Sequence, residues 1–161
     1  YEKKPNTGVF FVGGNKEIFT KIMPILNLIG SPVHYLGGVV QAYAFKIISN
    51  MIGMTNLAIL AEGIHLAQKA NIDIEQFLTL LAQTGGDSNQ LSRRGPAIAN
   101  NDFSNRFAVD LTLKDLTLGC NMAKDFNYTP IFSQKSRELY QKASEQGYGA
   151  EDCCAIYKVL E

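Results

Sequence analysis

The residues of this sequence that can do acid–base chemistry at a useful spacing fall into two small groups. Lys46 and Asn50 are four residues apart, and Lys114 is followed directly by Asp115. A spacing of four puts two side chains on one face of a helix, where a lysine can act as a general acid or base and an amide can donate hydrogen bonds. Spacing alone does not make these residues an active site, because periodicity by itself favours an exposed lysine and asparagine on a helix surface.

The common cofactor and metal motifs do not occur in the 161 residues. There is no GxGxxG, GxxxxGK[ST], GxSxG or HExxH. Three cysteines, Cys120, Cys153 and Cys154, form no CxxC pair, and with only two histidines there is no zinc-ligand spacing. We therefore expect no metal site. An odd number of cysteines, two of them adjacent, fits a reducing compartment, so we expect a cytoplasmic location.

Composition and charge exclude several classes of protein. Hydrophobic residues make up 46% of the chain, which is enough for a folded core, and 15 basic residues balance 15 acidic ones. A neutral chain with a pI near 6.9 lacks the basic character of nucleic-acid binders, so we expect no nucleic-acid partner. The longest stretch with few charges, residues 47–61, is shorter than the roughly 20 residues of a membrane span, so we also expect no membrane segment.

The order of elements predicts a mainly α fold with one short strand at its start. Residues 8–12 have the apolar, β-branched and aromatic character of a buried strand. No later segment is recognisable as a partner of that strand, so we interpret it as the last strand of a sheet whose other strands are missing. Helical periodicity then predicts seven helices: 15–30, 39–70, 73–81, 91–99 interrupted at Gly95-Pro96, 110–126, 131–146 and a short one after Glu151. Asn15 and Asp110 are predicted N-caps, Asp73 is predicted to begin its helix, and Asn71 is a predicted left-handed cap. Extended backbone is predicted at 33–36 and loops at 84–87 and 100–105.

The helix predicted for residues 39–70 is longer than the domain that contains it. At 1.5 Å per residue it spans ~48 Å, whereas a compact globule of this chain length has a diameter of ~39 Å. Its apolar residues, at 45, 48, 52, 59 and 66, therefore need a surface from outside this domain. We expect a homodimer in which the long helices pack across subunits.

Taken in order, several segments resemble the C-terminal half of the β-hydroxyacid dehydrogenases, which include 3-hydroxyisobutyrate dehydrogenase, tartronate semialdehyde reductase and the glyoxylate/succinic semialdehyde reductases. The likeness covers nearly the whole chain, and the order and separation of its pieces are more specific than any single piece. The pieces are Phe11-Val-Gly-Gly14 with Pro24-Ile-Leu26 and Gly30; His34-Tyr-Leu-Gly37 with Gln41, Lys46 and Asn50; Ala61-Glu62-Gly63 with Leu66-Ala67; Phe107-Ala-Val-Asp-Leu111 with Lys114-Asp-Leu116; and Gly147-Tyr-Gly-Ala-Glu-Asp152.

The resemblance implies an NAD(P)-dependent oxidoreductase that interconverts a short 3-hydroxy acid and its semialdehyde or keto acid. It implies that residues 1–37 are the end of a Rossmann nucleotide-binding domain and that residues 38–161 form the all-α substrate and dimerisation domain, as in 6-phosphogluconate dehydrogenase-like enzymes. The family's glycine fingerprint and its substrate-binding Ser-Gly-Gly segment are absent, so the chain is expected to begin just after them and to be inactive alone, with NAD or NADP bound mainly by the missing domain.

The same resemblance assigns roles to five residues. Lys46 is implied to be the catalytic lysine, which donates a proton to the carbonyl oxygen in reduction and accepts one in oxidation. Asn50 and Phe107 are implied to bind the substrate, and Lys114 and Asp115 to contact the nicotinamide cofactor.

A non-catalytic helical dimerisation module of the same ancestry is the alternative. Val40 and Ala42 occupy positions where the family has glycines six and four residues before the lysine, and Ser49 replaces the first of a usual asparagine pair. Side chains therefore stand where backbone could closely approach a ligand. A stand-alone helical interaction protein is a second alternative, but it would have no use for Lys46 at a cleft.

Overall fold

A computed structural model describes residues 8–160 of the chain, and these residues form two compact units that are divided between Ile48 and Ser49. Its elements are β1 (Phe10–Val12), α1 (Lys16–Ile29), β2 (Val33–Tyr35), α2 (Val39–Lys69), α3 (Ile74–Leu81), α4 (Asn89–Ala99), α5 (Val109–Asp125), α6 (Ile131–Ala143), a π-helical turn (Ser144–Tyr148) and a 3-10 helix (Cys153–Val159). The predicted mainly α fold with a short strand at its start is confirmed. The predicted division at residues 37 and 38 into parts of two ancestral domains stays a prediction.

The first unit is a small β-α-β arrangement. Asn15 begins α1 as expected, since its side-chain oxygen accepts hydrogen bonds from the backbone N–H groups of Glu17 and Ile18 at 2.8 and 3.1 Å. The prediction that the first strand lacks a partner in this chain is wrong: β1 pairs in parallel with β2, with Phe11 opposite His34. The two strands are parallel because α1 carries the chain back between them, as a crossover requires.

Helix α2 begins in the first unit, continues through the boundary and ends with Asn71 in the left-handed conformation. The predicted long helix is thus confirmed. By length and composition it is also apolar enough to cross a bilayer, with a mean hydropathy of 1.4 in its most apolar 18-residue window, a third of which is buried within the chain. This is weak evidence, because the core helices of soluble proteins pass the same test, and the absence of a membrane segment stays a prediction.

The second unit is built around apolar side chains from α2, α5, α6 and the 3-10 helix. The largest fully buried ones include Leu57, Ile64, Leu116, Tyr140 and Ile156. Burial of these side chains away from water supplies most of the stabilisation of such a helical unit.

Helix α4 runs without a break from Asn89 to Ala99, so the predicted interruption at Gly95-Pro96 is wrong. Proline removes one helical hydrogen bond. Burial of Leu91, Ala97 and Ile98 offsets that loss. Gly95 allows the close packing, because a Cβ atom there would lie 3.0 Å from the side chain of Leu78 in α3.

The N-terminus of helix α5 lies two residues before the predicted one, and Asp110 is not its N-cap. Ala108 precedes the helix without a side-chain cap, and Asp110 lies in the first turn. The carboxylate of Asp110 instead accepts a hydrogen bond from the Ser144 hydroxyl at 2.6 Å. That contact ties α5 to the π-helical turn, which follows α6 where one continuous helix to residue 146 was predicted.

Candidate functional site

Three of the five predicted site residues lie together in the second unit. Nδ2 of Asn50 on α2 donates a hydrogen bond to Oδ2 of Asp115 on α5 at 2.6 Å. Nζ of Lys114 lies 3.1 Å from the other carboxylate oxygen of Asp115. Because each oxygen of the carboxylate is engaged by a different group, Asp115 is held in one orientation and in turn orients the amide of Asn50.

Side chains of α2 and α5 also contact each other next to the Asn50–Asp115 pair. Met51, next to Asn50, packs against Gly119, which follows Asp115 by one turn. A Cβ atom on Gly119 would lie within 2.4 Å of the Met51 side chain, so a larger residue here would require that side chain to move. A second contact joins Thr112, about one turn before Asp115 on α5, to Met54, about one turn after Asn50 on α2. The Thr112 hydroxyl lies 3.6 Å from Sδ of Met54. The Asn50–Asp115 hydrogen bond is therefore accompanied by neighbouring side-chain contacts between the same two helices.

Side-chain exposure separates the two charged members of this group. The side chain of Asp115 is 15% exposed, whereas that of Lys114 is 59% exposed. The carboxylate is thus largely shielded from water between the helices. The ammonium group reaches solvent, where it is accessible to a larger ligand, and it carries three donors of which Asp115 engages one.

Lys46 is an exposed residue of α2 in the first unit, one helical turn before Asn50. The side chain of Ala42, where the family has a glycine, packs in the first unit near Gly13: a Cβ atom on Gly13 would lie 2.9 Å from that of Ala42 and 2.2 Å from the carbonyl oxygen of Gly38. Its methyl group is thus accommodated by a glycine on the facing segment.

Phe107 is held by a different group of residues from Asn50, Lys114 and Asp115. Its backbone N–H donates to the carboxylate of Asp152 at 3.1 Å, and its carbonyl oxygen accepts from the N–H of Cys153 at 2.7 Å. These two backbone hydrogen bonds fix the position of Phe107 just before α5 begins, and the residue is half-buried. A role for Phe107 in substrate binding stays a prediction.

Asp152 is a buried residue whose importance the sequence did not reveal. Its carboxylate accepts hydrogen bonds from Nε of Arg94 at 2.8 Å and from the backbone N–H groups of Arg106, Phe107 and Cys154 at 3.1 Å each. Burial raises the pKa of this carboxyl group, but the hydrogen bonds and the nearby Arg94 outweigh that effect, so its pKa lies below the usual value of 3.8.

Arg94 is not solvated, although two adjacent basic residues on a helix, Arg93 and Arg94, usually are. Its side chain is 13% exposed and forms the ion pair with Asp152. An arginine on an amphipathic helix gives no local signal of such a pair, because the partner lies 58 residues away. One local clue existed for Asp152 itself: an aspartate directly before an apolar run is a common helix N-cap, and Asp152 does cap the 3-10 helix.

The three cysteines are buried and free. Burial raises the pKa of Cys153 to about 11 and raises that of Cys154 further. Buried thiols with raised pKa values are poor nucleophiles, which agrees with their interpretation as core residues. Within residues 8–160, no group of three or more His, Cys, Asp or Glu side chains is placed to hold a metal ion.

Comparisons with known proteins match the chain along nearly its whole length. Residues 41–160 match the family model described as "NAD-binding of NADP-dependent 3-hydroxyisobutyrate dehydrogenase". The 2-(hydroxymethyl)glutarate dehydrogenase of Eubacterium barkeri is 30% identical over 156 residues, which are 96% of this chain and 52% of that protein. The cytokine-like nuclear factor N-PAC of Aedes aegypti is 28% identical over 97% of this chain and 28% of its own length.

A solved structure supports the same relationship. The crystal structure of 3-hydroxyisobutyrate dehydrogenase from Salmonella typhimurium superposes with a TM-score of 0.86 at 27% identity, over 91% of this chain and 52% of that one. The chain thus spans about half the length of the dehydrogenases that it matches.

Proposed function

Because the chain belongs to the NADP-dependent 3-hydroxyisobutyrate dehydrogenase family, we propose that it is the C-terminal domain of an NAD(P)-dependent oxidoreductase acting on a short 3-hydroxy acid and its semialdehyde or keto acid. The observation that carries this proposal is the Asn50–Asp115–Lys114 group, since residues that were assigned from the resemblance alone lie within hydrogen-bond distance of one another. A domain kept only for packing has no need of an oriented amide and a shielded carboxylate between two helices.

In the proposed reaction, the side chains of α2 act on the substrate. Lys46 donates a proton to the carbonyl oxygen as reduction builds negative charge there, and it accepts that proton in oxidation. Asn50, whose amide is oriented by Asp115, hydrogen-bonds the hydroxyl or carboxylate of the acid. Phe107 contributes an apolar wall to the substrate pocket.

Lys114 and Asp115 are proposed to contact the cofactor. The exposed ammonium group of Lys114 fits a polar group of a dinucleotide, because a mobile cation with several donors can bind an amide or a phosphate oxygen. The matched family model is named for NAD binding, which supports such a contact. When bound, NAD(P) supplies or accepts the hydride.

We further propose that this chain alone is inactive and that its first unit is the edge of a larger nucleotide-binding domain. Helix α1 buries none of its side chains, and Ile18, Ile25 and Ile29 are each more than half exposed. An apolar helix face of this kind is normally covered by neighbouring structure. Such a neighbour would also supply the pyrophosphate-binding loop.

The proposal is tested by expressing the chain as part of a polypeptide of the relatives' length. Purified protein is assayed with a panel of small semialdehydes, keto acids and 3-hydroxy acids, each with NAD(H) and NADP(H). Cofactor-dependent turnover on at least one acid is the expected result. Absence of turnover with every member of the panel, for a folded protein that binds cofactor, would contradict the proposal.

We also propose that the protein is a homodimer. Ile52, Ile59 and Leu66 recur every seven residues along α2 in the second unit and are 58%, 61% and 68% exposed. Apolar residues at a seven-residue spacing on a helix are typical of helix–helix seams. A stripe of this size on the surface of a monomer would favour association.

A non-catalytic dimerisation module is the second candidate function. The Aedes aegypti relative is named as a nuclear factor and not as a dehydrogenase, although it matches 97% of this chain. Val40, Ala42 and Ser49 depart from the resemblance next to Lys46, which also favours this candidate. Dimerisation without turnover would support it.

The remaining partners and the location are proposed from composition. The cysteines are free and buried, and the formal net charge is zero. These properties fit a cytoplasmic protein whose partners are a small acid and a second subunit, with neither nucleic acid nor membrane as a binding surface.

A further inference from the structure

A small polar cavity lies where α5 ends and α6 begins. Its volume is about 110 Å³, and its lining includes Cys120, Lys124, Thr129, Gln134 and Arg137. None of the residues proposed for substrate or cofactor binding lines it. The volume is several times the share of one water molecule in the liquid, about 30 Å³, so the cavity has room for a small ion.

The lining also includes Tyr128 and Pro130 but no carboxylate. Its two basic residues are the half-buried Arg137 and the exposed Lys124. None of the ion pairs found within residues 8–160 involves Lys124 or Arg137. Nε of Arg137 is buried and has no hydrogen-bond partner in the part of the chain that the structure describes. A buried donor without an acceptor costs free energy, so an acceptor inside the cavity would stabilise this arrangement.

The positive charges of Arg137 and Lys124 both affect the thiol of Cys120. Burial raises the pKa of the Cys120 thiol, and the positive charges of Arg137 and Lys124 oppose that rise. Cys120, Lys124 and Arg137 line the same cavity, which agrees with this effect. A neutral thiol between two cations does not compensate their charge, whereas a small anion would.

We propose that this cavity binds a small tetrahedral oxyanion, namely phosphate or the phosphate group of a small metabolite. The guanidinium group of Arg137 presents a planar set of donors that matches phosphate oxygens, and Lys124 adds a second positive charge. The hydroxyl of Thr129 and the amide of Gln134 supply neutral donors at the same cavity. This site is independent of the proposed dehydrogenase function.

The test is a binding titration of the full chain at constant ionic strength. Inorganic phosphate and glycerol 3-phosphate are titrated separately while the unfolding midpoint is recorded, with chloride as the reference anion. We expect saturable stabilisation by phosphate. Arg137→Gln and Lys124→Gln should each weaken the affinity about tenfold or more, since each removes a charge-assisted hydrogen bond.

Matched controls remove one exposed charge elsewhere. Arg93→Gln on α4 and Lys69→Gln on α2 should leave the phosphate affinity within about twofold of the wild-type value. Tighter binding of glycerol 3-phosphate than of inorganic phosphate would assign the site to a metabolite, and the reverse order would assign it to the free ion. A non-saturable response, or equal affinities for Arg137→Gln and Arg93→Gln, would overturn the proposal.

A second measurement uses the wild-type chain only, so it does not depend on the folding of a variant. Crystals are soaked in selenate, a tetrahedral oxyanion with an anomalous signal. We expect an anomalous peak within hydrogen-bond distance of Arg137 and Lys124. A cavity that holds only water while selenate occupies other positions would overturn the proposal.

Discussion

Asn50 and Asp115 are joined by a hydrogen bond of 2.6 Å although 65 residues separate them in the sequence. The bond links α2 to α5 next to the contact between Met51 and Gly119. Since the donor is neutral and the acceptor is a carboxylate, the bond belongs to the stronger class of side-chain hydrogen bonds. The orientation of Asn50, which is proposed to bind the substrate, therefore depends on Asp115 of another helix.

A double-mutant cycle on this pair tests whether Asp115 positions Asn50. In the protein of the relatives' length, Asn50→Ala and Asp115→Asn should each raise KM for the acid substrate. The double variant should be less impaired than the sum of the two, with a coupling free energy of about 1.5–3 kcal/mol, as is typical of a hydrogen bond to a charged group. Asp125→Asn, an exposed aspartate on the same helix, is the control and should combine additively with Asn50→Ala.

Local sequence signals predicted the helices well and the contacts between them poorly. Asn15, Asn71 and Asp73 were recognisable as helix-terminal residues, because capping depends on neighbours within a few positions. The strand pairing of β1 with β2 was missed, since three-residue strands carry too little pattern to identify a partner. Secondary structure could be derived from periodicity, whereas pairing depends on the packing of distant segments.

The site shows the same division. The adjacency of Lys114 and Asp115 is visible in the sequence, but the approach of Asn50 depends on Met51 fitting against Gly119. Similarly, the sequence around Arg94 is typical of a solvated residue. Its ion pair with the buried Asp152 forms because α4 packs on the 3-10 helix. No spacing rule connects residues that are 58 positions apart.

The role of Lys46 in proton transfer is tested by its removal. Lys46→Ala should lower kcat by about 10²–10⁴, the usual contribution of general acid–base catalysis, while KM for the cofactor changes little. Lys46→Arg should not restore activity, because a guanidinium group does not release its proton near neutral pH.

Lys69→Ala is the matched control for Lys46→Ala, because both lysines are exposed on α2. It should retain wild-type kcat. Turnover within a few-fold of wild type for Lys46→Ala would show that this lysine is an ordinary surface residue and would favour the dimerisation module.

Replacement of Lys114 should have the opposite kinetic signature. Lys114→Ala should raise KM for NAD(P) with a smaller effect on kcat, because its proposed partner is the cofactor and not the reacting carbonyl. Lys135→Ala, which removes another exposed lysine with a nearby carboxylate partner, should leave both constants unchanged. A fall in kcat at unchanged cofactor KM would place Lys114 at the chemical step instead.

The seven-residue stripe on α2 predicts the effect of charge on assembly. Ile52→Glu combined with Ile59→Glu should convert the dimer to a monomer, because two carboxylates would have to be buried in the interface without partners. Sedimentation or light scattering measures the mass. The control is Leu111→Glu, which places the same charge at an exposed apolar residue outside the stripe, and this variant should remain dimeric. A wild-type protein that is monomeric at high concentration would contradict the proposal.

The buried ion pair between Arg94 and Asp152 predicts a large loss of stability for a single change. Asp152→Ala should lower the free energy of unfolding by about 3–5 kcal/mol, because it leaves a largely buried cation unpaired. Asp102→Ala, which breaks the exposed pair between Asp102 and Arg106, should have a much smaller effect. Denaturant titration measures both, and equal losses would mean that burial of the Asp152 pair contributes nothing extra.

The same carboxylate gives that stability a defined pH dependence. Because the pKa of Asp152 in the folded protein lies below its usual value of 3.8, the charged form stabilises the fold above that pH, and its contribution is lost as the pH falls through the folded-state pKa. The free energy of unfolding of the wild-type chain should therefore drop below about pH 4. Asp152→Asn should be less stable near neutral pH but lose less stability on acidification, since it has no proton to bind at this position. Parallel pH profiles for the wild-type chain and this variant would show that other carboxylates account for the acid sensitivity.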